Sequence, residues 1–115
     1  KYHVSRCDFI KCDAEGAEMA FIQGACRTLS QFEPSILIEL NPHIFAMAGY
    51  SSADLLRKIR ECGPYRFFSV DRGDYEELID LESSNEVIGH HNVLCVSERS
   101  AMFKKIASLS GAQAS

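Results

Sequence analysis

Asp8-Phe9-Ile10-Lys11-Cys12-Asp13-Ala14-Glu15-Gly16-Ala17-Glu18 decides the fold of this chain. Phe9 to Cys12 is a short, mostly apolar run suited to a buried strand. Carboxylates follow at Asp13, Glu15 and Glu18, with Gly16 between the last two. Helical spacing then begins, with Ile22, Ala25 and Leu29 on one face. A strand that enters a helix through an acidic, glycine-containing turn is where open α/β sheets place their chemistry, outside the carboxyl end of the strand.

Outward from this junction, Phe9–Asp13 reads as strand one and Ala17–Phe32 as helix one. Gly24 inside that helix costs about 1 kcal/mol relative to alanine, which suggests a close packing contact. Glu33-Pro34 ends the helix, and Ser35–Leu40 is strand two. Its continuous apolar run predicts a parallel strand covered on both faces. Asn41–Tyr50 reads as a connection opened by the Asn-Pro turn signal. Ser51 or Ser52 caps helix two, whose stripe is Leu55, Leu56, Ile59 and Cys62. Gly63 supplies a left-handed stop before Pro64.

Tyr65–Val70 is strand three and Asp71-Arg72-Gly73-Asp74 a turn. Tyr75–Leu81 is a candidate extra strand, and Glu82–His91 is loop-like. Asn92–Val96 is strand four, and Ser97 caps a last helix carrying Met102, Phe103, Ile106 and Leu109 on one face. Gly111–Ser115 is expected to be a disordered tail. The order β-α-β-α-β-loop-β-α implies right-handed crossovers among the first three strands. The fourth strand lacks a preceding helix and is free to run antiparallel.

The 115 residues form at most one modest domain. With 46% hydrophobic and 24% charged residues the chain can bury a core. A net charge of −4 argues against nucleic-acid binding, which needs a basic face. No apolar run approaches the ~20 residues of a membrane span, so no membrane partner is expected. The five cysteines are scattered and include no C-x-x-C pair. They read as small buried hydrophobes in a reducing, cytoplasmic setting rather than as disulfides or zinc ligands. Only Lys1 to Arg6 precede the first strong strand and no initiator methionine opens the sequence, so it reads as a piece of something longer.

The opening stretch resembles the DFIKIDVEGAE signature of FkbM-type S-adenosylmethionine-dependent methyltransferases. Ile22-Gln23-Gly24-Ala25 is similar to that family's L-x-G-A segment, Ile36-Leu37-Ile38-Glu39-Leu40 to its next strand and Asn92-Val93-Leu94-Cys95-Val96 to its closing strand. The resemblance runs from about Asp8 to Ser97. It implies a partial Rossmann-like class I methyltransferase sheet, an α/β fold with flanking helices. On that template the strands here are four, five, seven and six in spatial order, the last in sequence antiparallel. The cofactor-binding half of the template, with its glycine-rich turn, lies upstream. No G-x-G occurs in this sequence, so residues 1–115 represent the C-terminal half of the domain and are expected to be inactive alone.

By this resemblance Asp13 and Glu15 face the methyl-transfer site, as catalytic groups and as contacts to S-adenosylmethionine. A carboxylate there can accept a hydroxyl hydrogen bond, or act as a base if burial raises its pKa. Glu39, Asn41 and His43 leave the adjacent strand and should open on the same crevice. His43 can take a proton from an acceptor hydroxyl. Glu18 reads as an acid favouring the positive end of helix one. Lys11, in a strand expected to be central, requires an ion pair, with Glu39 as a candidate. His90-His91 lack metal-ligand spacing, and no metal is expected.

The function implied is O-methyl transfer by in-line displacement to a hydroxyl of a small-molecule or glycan acceptor. A non-catalytic half-domain is the alternative, dimerising through the exposed edge of the Phe9–Cys12 strand. A metal-dependent hydrolase built on the acidic turn is a further rival with an incomplete ligand set.

Overall fold

The computed structural model describes residues 9–12, 17–71, 73–82 and 91–110. In chain order the elements are β1 (Phe9–Cys12), α1 (Glu18–Phe32), β2 (Ser35–Leu40), α2 (Pro42–Ala48), α3 (Ser52–Cys62), β3 (Tyr65–Ser69), β4 (Glu76–Glu77), β5 (His91–Ser97) and α4 (Ala101–Ser110). They form one five-stranded sheet in the order β1-β2-β5-β3-β4. β1 and β2 are parallel, with Cys12 beside Ile38. β5 runs antiparallel between β2 and β3. This is the 4-5-7-6 order implied by the resemblance, with a two-residue hairpin arm, β4, added beyond it.

One face of the sheet carries Ile10, Ile36, Ile38, Leu40, Phe67 and Val93 against Ile22 and Leu29 of α1 and Leu55, Leu56 and Ile59 of α3. The other carries Phe68, Leu94 and Val96 against Phe103, Ile106 and Ala107 of α4. β2 therefore differs from the expected strand buried on both sides. Ile36, Ile38 and Leu40 are buried, whereas Leu37 and Glu39 are half-covered. On α4 the expected face is only partly right, because Met102 and Leu109 are exposed and Ala107 takes a core position.

Several local expectations need correction. Residues 41–50 contain a helix, α2, with Pro42 in its first turn. The Ile44 N–H donates to Asn41 Oδ1 at 3.3 Å, so the Asn-Pro pair is a cap and first helical residue, the arrangement proline favours. Only Phe45 of this helix is buried, which left no periodic stripe to read. Gly49 closes it at φ 95°, where a side chain would be strained. Gly63 is extended rather than left-handed. What it provides is space, since a Cβ there would lie 3.1 Å from the Tyr65 ring. Gly24 meets nothing within 4 Å, so no close contact requires it. The cap of α4 is Ser100, whose hydroxyl accepts from the Phe103 N–H at 3.1 Å. Ser97 instead donates to the Glu33 carboxylate.

Cys26 and Cys62 are joined by a disulfide between α1 and α3, with Cα atoms 5.2 Å apart. The expectation that every cysteine is a buried thiol is thus overturned for this pair. Cys12 and Cys95 are free and buried, and Cys7 lies outside the described residues. The reading of a reducing setting rested on that pattern and loses two of its five cysteines. No helix among the described residues is long and apolar enough to cross a membrane.

α3 begins with a reciprocal capping box. Asp54 N–H donates to Ser51 Oγ at 3.1 Å, and Ser51 N–H donates to Asp54 Oδ2 at 3.0 Å. The Ser51 N–H and, after it, the Ser51 hydroxyl hold the Asp54 carboxyl below its ordinary pKa. A depressed pKa adds stability above the unfolded value, near 4, which is lost as pH falls through the lower folded value. Ser51→Ala should therefore cost about 1 kcal/mol in urea unfolding at neutral pH, and less below about pH 3. An equal loss at both pH values would contradict the box.

Candidate functional site

The parallel pair β1 and β2 brings two chain exits to one end of the sheet. β1 ends at Cys12 beside Ile38, one residue before Glu39 of β2. Asp13 and Glu15, between β1 and α1, lie outside the described residues, as does His90. The site is therefore built from what surrounds that segment.

Glu39 is half-buried and stands opposite Asn92 across the β2–β5 pair. Asn92 is held in turn by Asp71 at the end of β3. Its backbone N–H donates to Asp71 Oδ2 at 3.0 Å and its side-chain amide to Oδ1 at 3.1 Å. A polar row, Glu39, Asn92 and Asp71, thus crosses three adjacent strand ends. His43 is exposed at the second position of α2, and Asn41 is buried because its side chain caps that helix. Glu39 and His43 therefore lie at the same end of β2, whereas Asn41 serves the backbone. Glu39 and His43 differ in setting, the carboxylate half-covered and the imidazole open to solvent.

Lys11 is exposed on an edge strand, not central as expected.

Sequence reasoning missed the Glu18–Tyr50 link. Glu18 begins α1 and is only 3% exposed. The Tyr50 hydroxyl bonds its carboxylate and accepts from the Met19 N–H. Burial pushes the Tyr50 pKa up; the Met19 bond opposes this and the Glu18 charge adds to it. The Tyr50 ring stacks on Phe45 with centroids 4.9 Å apart. Glu18 is thus more than an acid near a helix dipole: it ties the start of α1 to the α2–α3 corner. A lone tyrosine in a polar connection carries no sequence signal for such a bond.

Half-covered and exposed groups at one strand end can orient a hydroxyl and accept its proton. A nucleotide-like cofactor needs more, namely a backbone turn free of side chains. The described glycines do not supply it, since Gly24 is within a helix, Gly49 and Gly63 end helices, and Gly73 lies in the bend before β4. The described residues therefore do not fit S-adenosylmethionine by themselves. Among them, no group of three or more His, Cys, Asp or Glu is placed to hold a metal ion.

A family model described as Methyltransferase FkbM domain matches residues 1–67, more than half of the 115-residue chain. No curated protein and no solved structure matches the chain.

Proposed function

The chain belongs to the FkbM methyltransferase family, and on that footing we propose that it forms the acceptor-side, C-terminal half of an S-adenosylmethionine-dependent O-methyltransferase. The family match carries this reading, and the convergence of β1 and β2 on one sheet end supports it. The acceptor is a small molecule or glycan hydroxyl. Asp13 and Glu15 orient that hydroxyl and would also meet the cofactor. Glu39 or His43 receives its proton. Holding such groups in a fixed relation to the acceptor is where catalysis by orientation arises.

Two measurements test the proposal. Calorimetric titration of residues 1–115 with S-adenosylmethionine should show no binding, since the cradle is missing. In the full-length enzyme, Asp13→Ala should lower turnover about a hundredfold and weaken cofactor binding. Unchanged turnover would remove Asp13 from the reaction.

A second reading is favoured by one observation. β1 is an edge strand, and Phe9 on it is 51% exposed. Studied alone, the chain is expected to dimerise by pairing this edge with a second copy. Sedimentation velocity at rising concentration should show the dimer; a monomer throughout would exclude this interaction role.

A further inference from the structure

We propose that Cys26–Cys62 is an exchange-resistant clamp, closed by a disulfide-bearing oxidant as the chain folds, and that the protein is accordingly made in an oxidising compartment. This inference does not depend on methyl transfer.

The argument starts from the asymmetry of the two cysteines. Cys26 lies midway along α1 and is half-buried. Cys62 is the last residue of α3 and is 1% exposed, packed within the main core. Thiol–disulfide exchange requires a thiolate to attack one sulfur and expel the other as a thiolate. The reachable side is Cys26, so the leaving group is Cys62. A thiolate there is disfavoured twice, by apolar burial and by the negative end of the α3 dipole. Attack at Cys62 itself is blocked by the core. Exchange must therefore wait until α1 and α3 separate.

The surroundings keep the pair in register. Ser30, one turn beyond Cys26, places its hydroxyl 2.9 Å from the Cys26 carbonyl oxygen and 2.6 Å from that of Cys62. The two helices are thus tied at the same level by polar contact as well as by sulfur. Competing partners are inert, since Cys12 and Cys95 are buried and burial pushes the Cys95 thiol up.

The same barrier acts in the forming direction. An oxidant disulfide first takes the Cys26 thiolate into a mixed disulfide, releasing one of its own thiols. Cys62, as thiolate, then attacks the Cys26 sulfur and releases the second. Two electrons and two protons pass from the cysteine pair to the oxidant, which leaves as a dithiol. Cys62 forms its thiolate readily only before α3 docks, because burial and the helix dipole disfavour it afterwards, so the oxidant must be present during folding. A reducing compartment would instead let the chain fold around two thiols that pack as small apolar groups.

The test uses the chain produced through an oxidising compartment of an expression host. Peptide mapping after alkylation in denaturant should recover Cys26 and Cys62 linked. Dithiothreitol should then reduce the native protein at least about a hundredfold more slowly than the urea-unfolded one, because exchange is gated by opening. In Cys26→Ser, the Cys62 thiol should resist an alkylating reagent until urea is added. Recovery of both cysteines as free thiols would overturn the proposal. So would equal native and unfolded reduction rates, or rapid native labelling of Cys62 in Cys26→Ser.

Discussion

Replacing both Cys26 and Cys62 by alanine is expected to lower the unfolding free energy by about 3–4 kcal/mol. The two residues are 36 apart in sequence, and the closed loop contains β2, α2 and nearly all of α3. Closing a loop of that length removes unfolded-chain entropy worth roughly this amount. In a domain this small, each kcal/mol shifts the melting temperature by about 4 °C, so the midpoint should fall on the order of 15 °C. Thermal melting of the double variant beside the disulfide-bonded parent measures it. A second comparison separates the covalent tie from packing. The reduced parent retains both sulfurs in the core and should lie close to the double variant. If it lies close to the oxidised parent instead, the bond contributes little and α1 and α3 hold each other unaided.

Arg66→Ala should cost about 3 kcal/mol, by a different route. Arg66 stands on β3 and is 18% exposed on its side chain. Its guanidinium grips both oxygens of Glu77 on β4, one through Nη2 at 2.8 Å and the other through Nε. Nη1 reaches Glu98, after β5, at 2.8 Å, and the group lies 5.0 Å over the Phe103 ring of α4. Bonding to Glu77 first and Glu98 second pushes the Arg66 pKa up, against the effect of burial. Removing the cation would leave the Glu77 carboxylate, 11% exposed, without its main partner. Urea unfolding reads the loss. The double variant Arg66→Met with Glu77→Leu removes both charges and should recover much of it. If the double variant is as unstable as Arg66→Ala, the loss lies in packing over Phe103 rather than in a stranded charge.

The parts of the fold legible in sequence were those with strong apolar periodicity. The α3 stripe of Leu55, Leu56, Ile59 and Cys62 is buried as read, and β2 spans Ser35–Leu40 as read. The antiparallel setting of β5 followed from the missing helix before it and is observed. What escaped reading depends on partners distant in sequence. Cys26 and Cys62 look like ordinary core residues until α1 and α3 pack side by side. Arg66 and Glu77 are unremarkable surface charges until the β3–β4 hairpin closes. Tyr50 shows its purpose only when its hydroxyl meets Glu18, 32 positions earlier in the sequence. In the candidate site, Glu39 and His43 could be placed by counting from a strand end, because register there is set by β2 alone. The supporting row of Asp71 and Asn92 required knowing that β5 inserts between β2 and β3.

The turn at Glu33 carries a mechanical consequence. Glu33 adopts φ 47°, a left-handed torsion uncommon for its residue type, while its carboxylate is held by Ser97 and Arg99. Next to it the Tyr65 hydroxyl donates to the Pro34 carbonyl at 2.6 Å, and the Glu98 N–H to the Pro64 carbonyl at 2.9 Å. These cross-links gather where β2 and β3 start and β5 finishes. From that pinned base the strands stay paired to the opposite end, where Leu40 lies beside His91 and Ser69 beside Val93. With the Asp71–Asn92 bonds at that far end, the sheet is tied at both ends, so Glu39 is carried on a stiff frame.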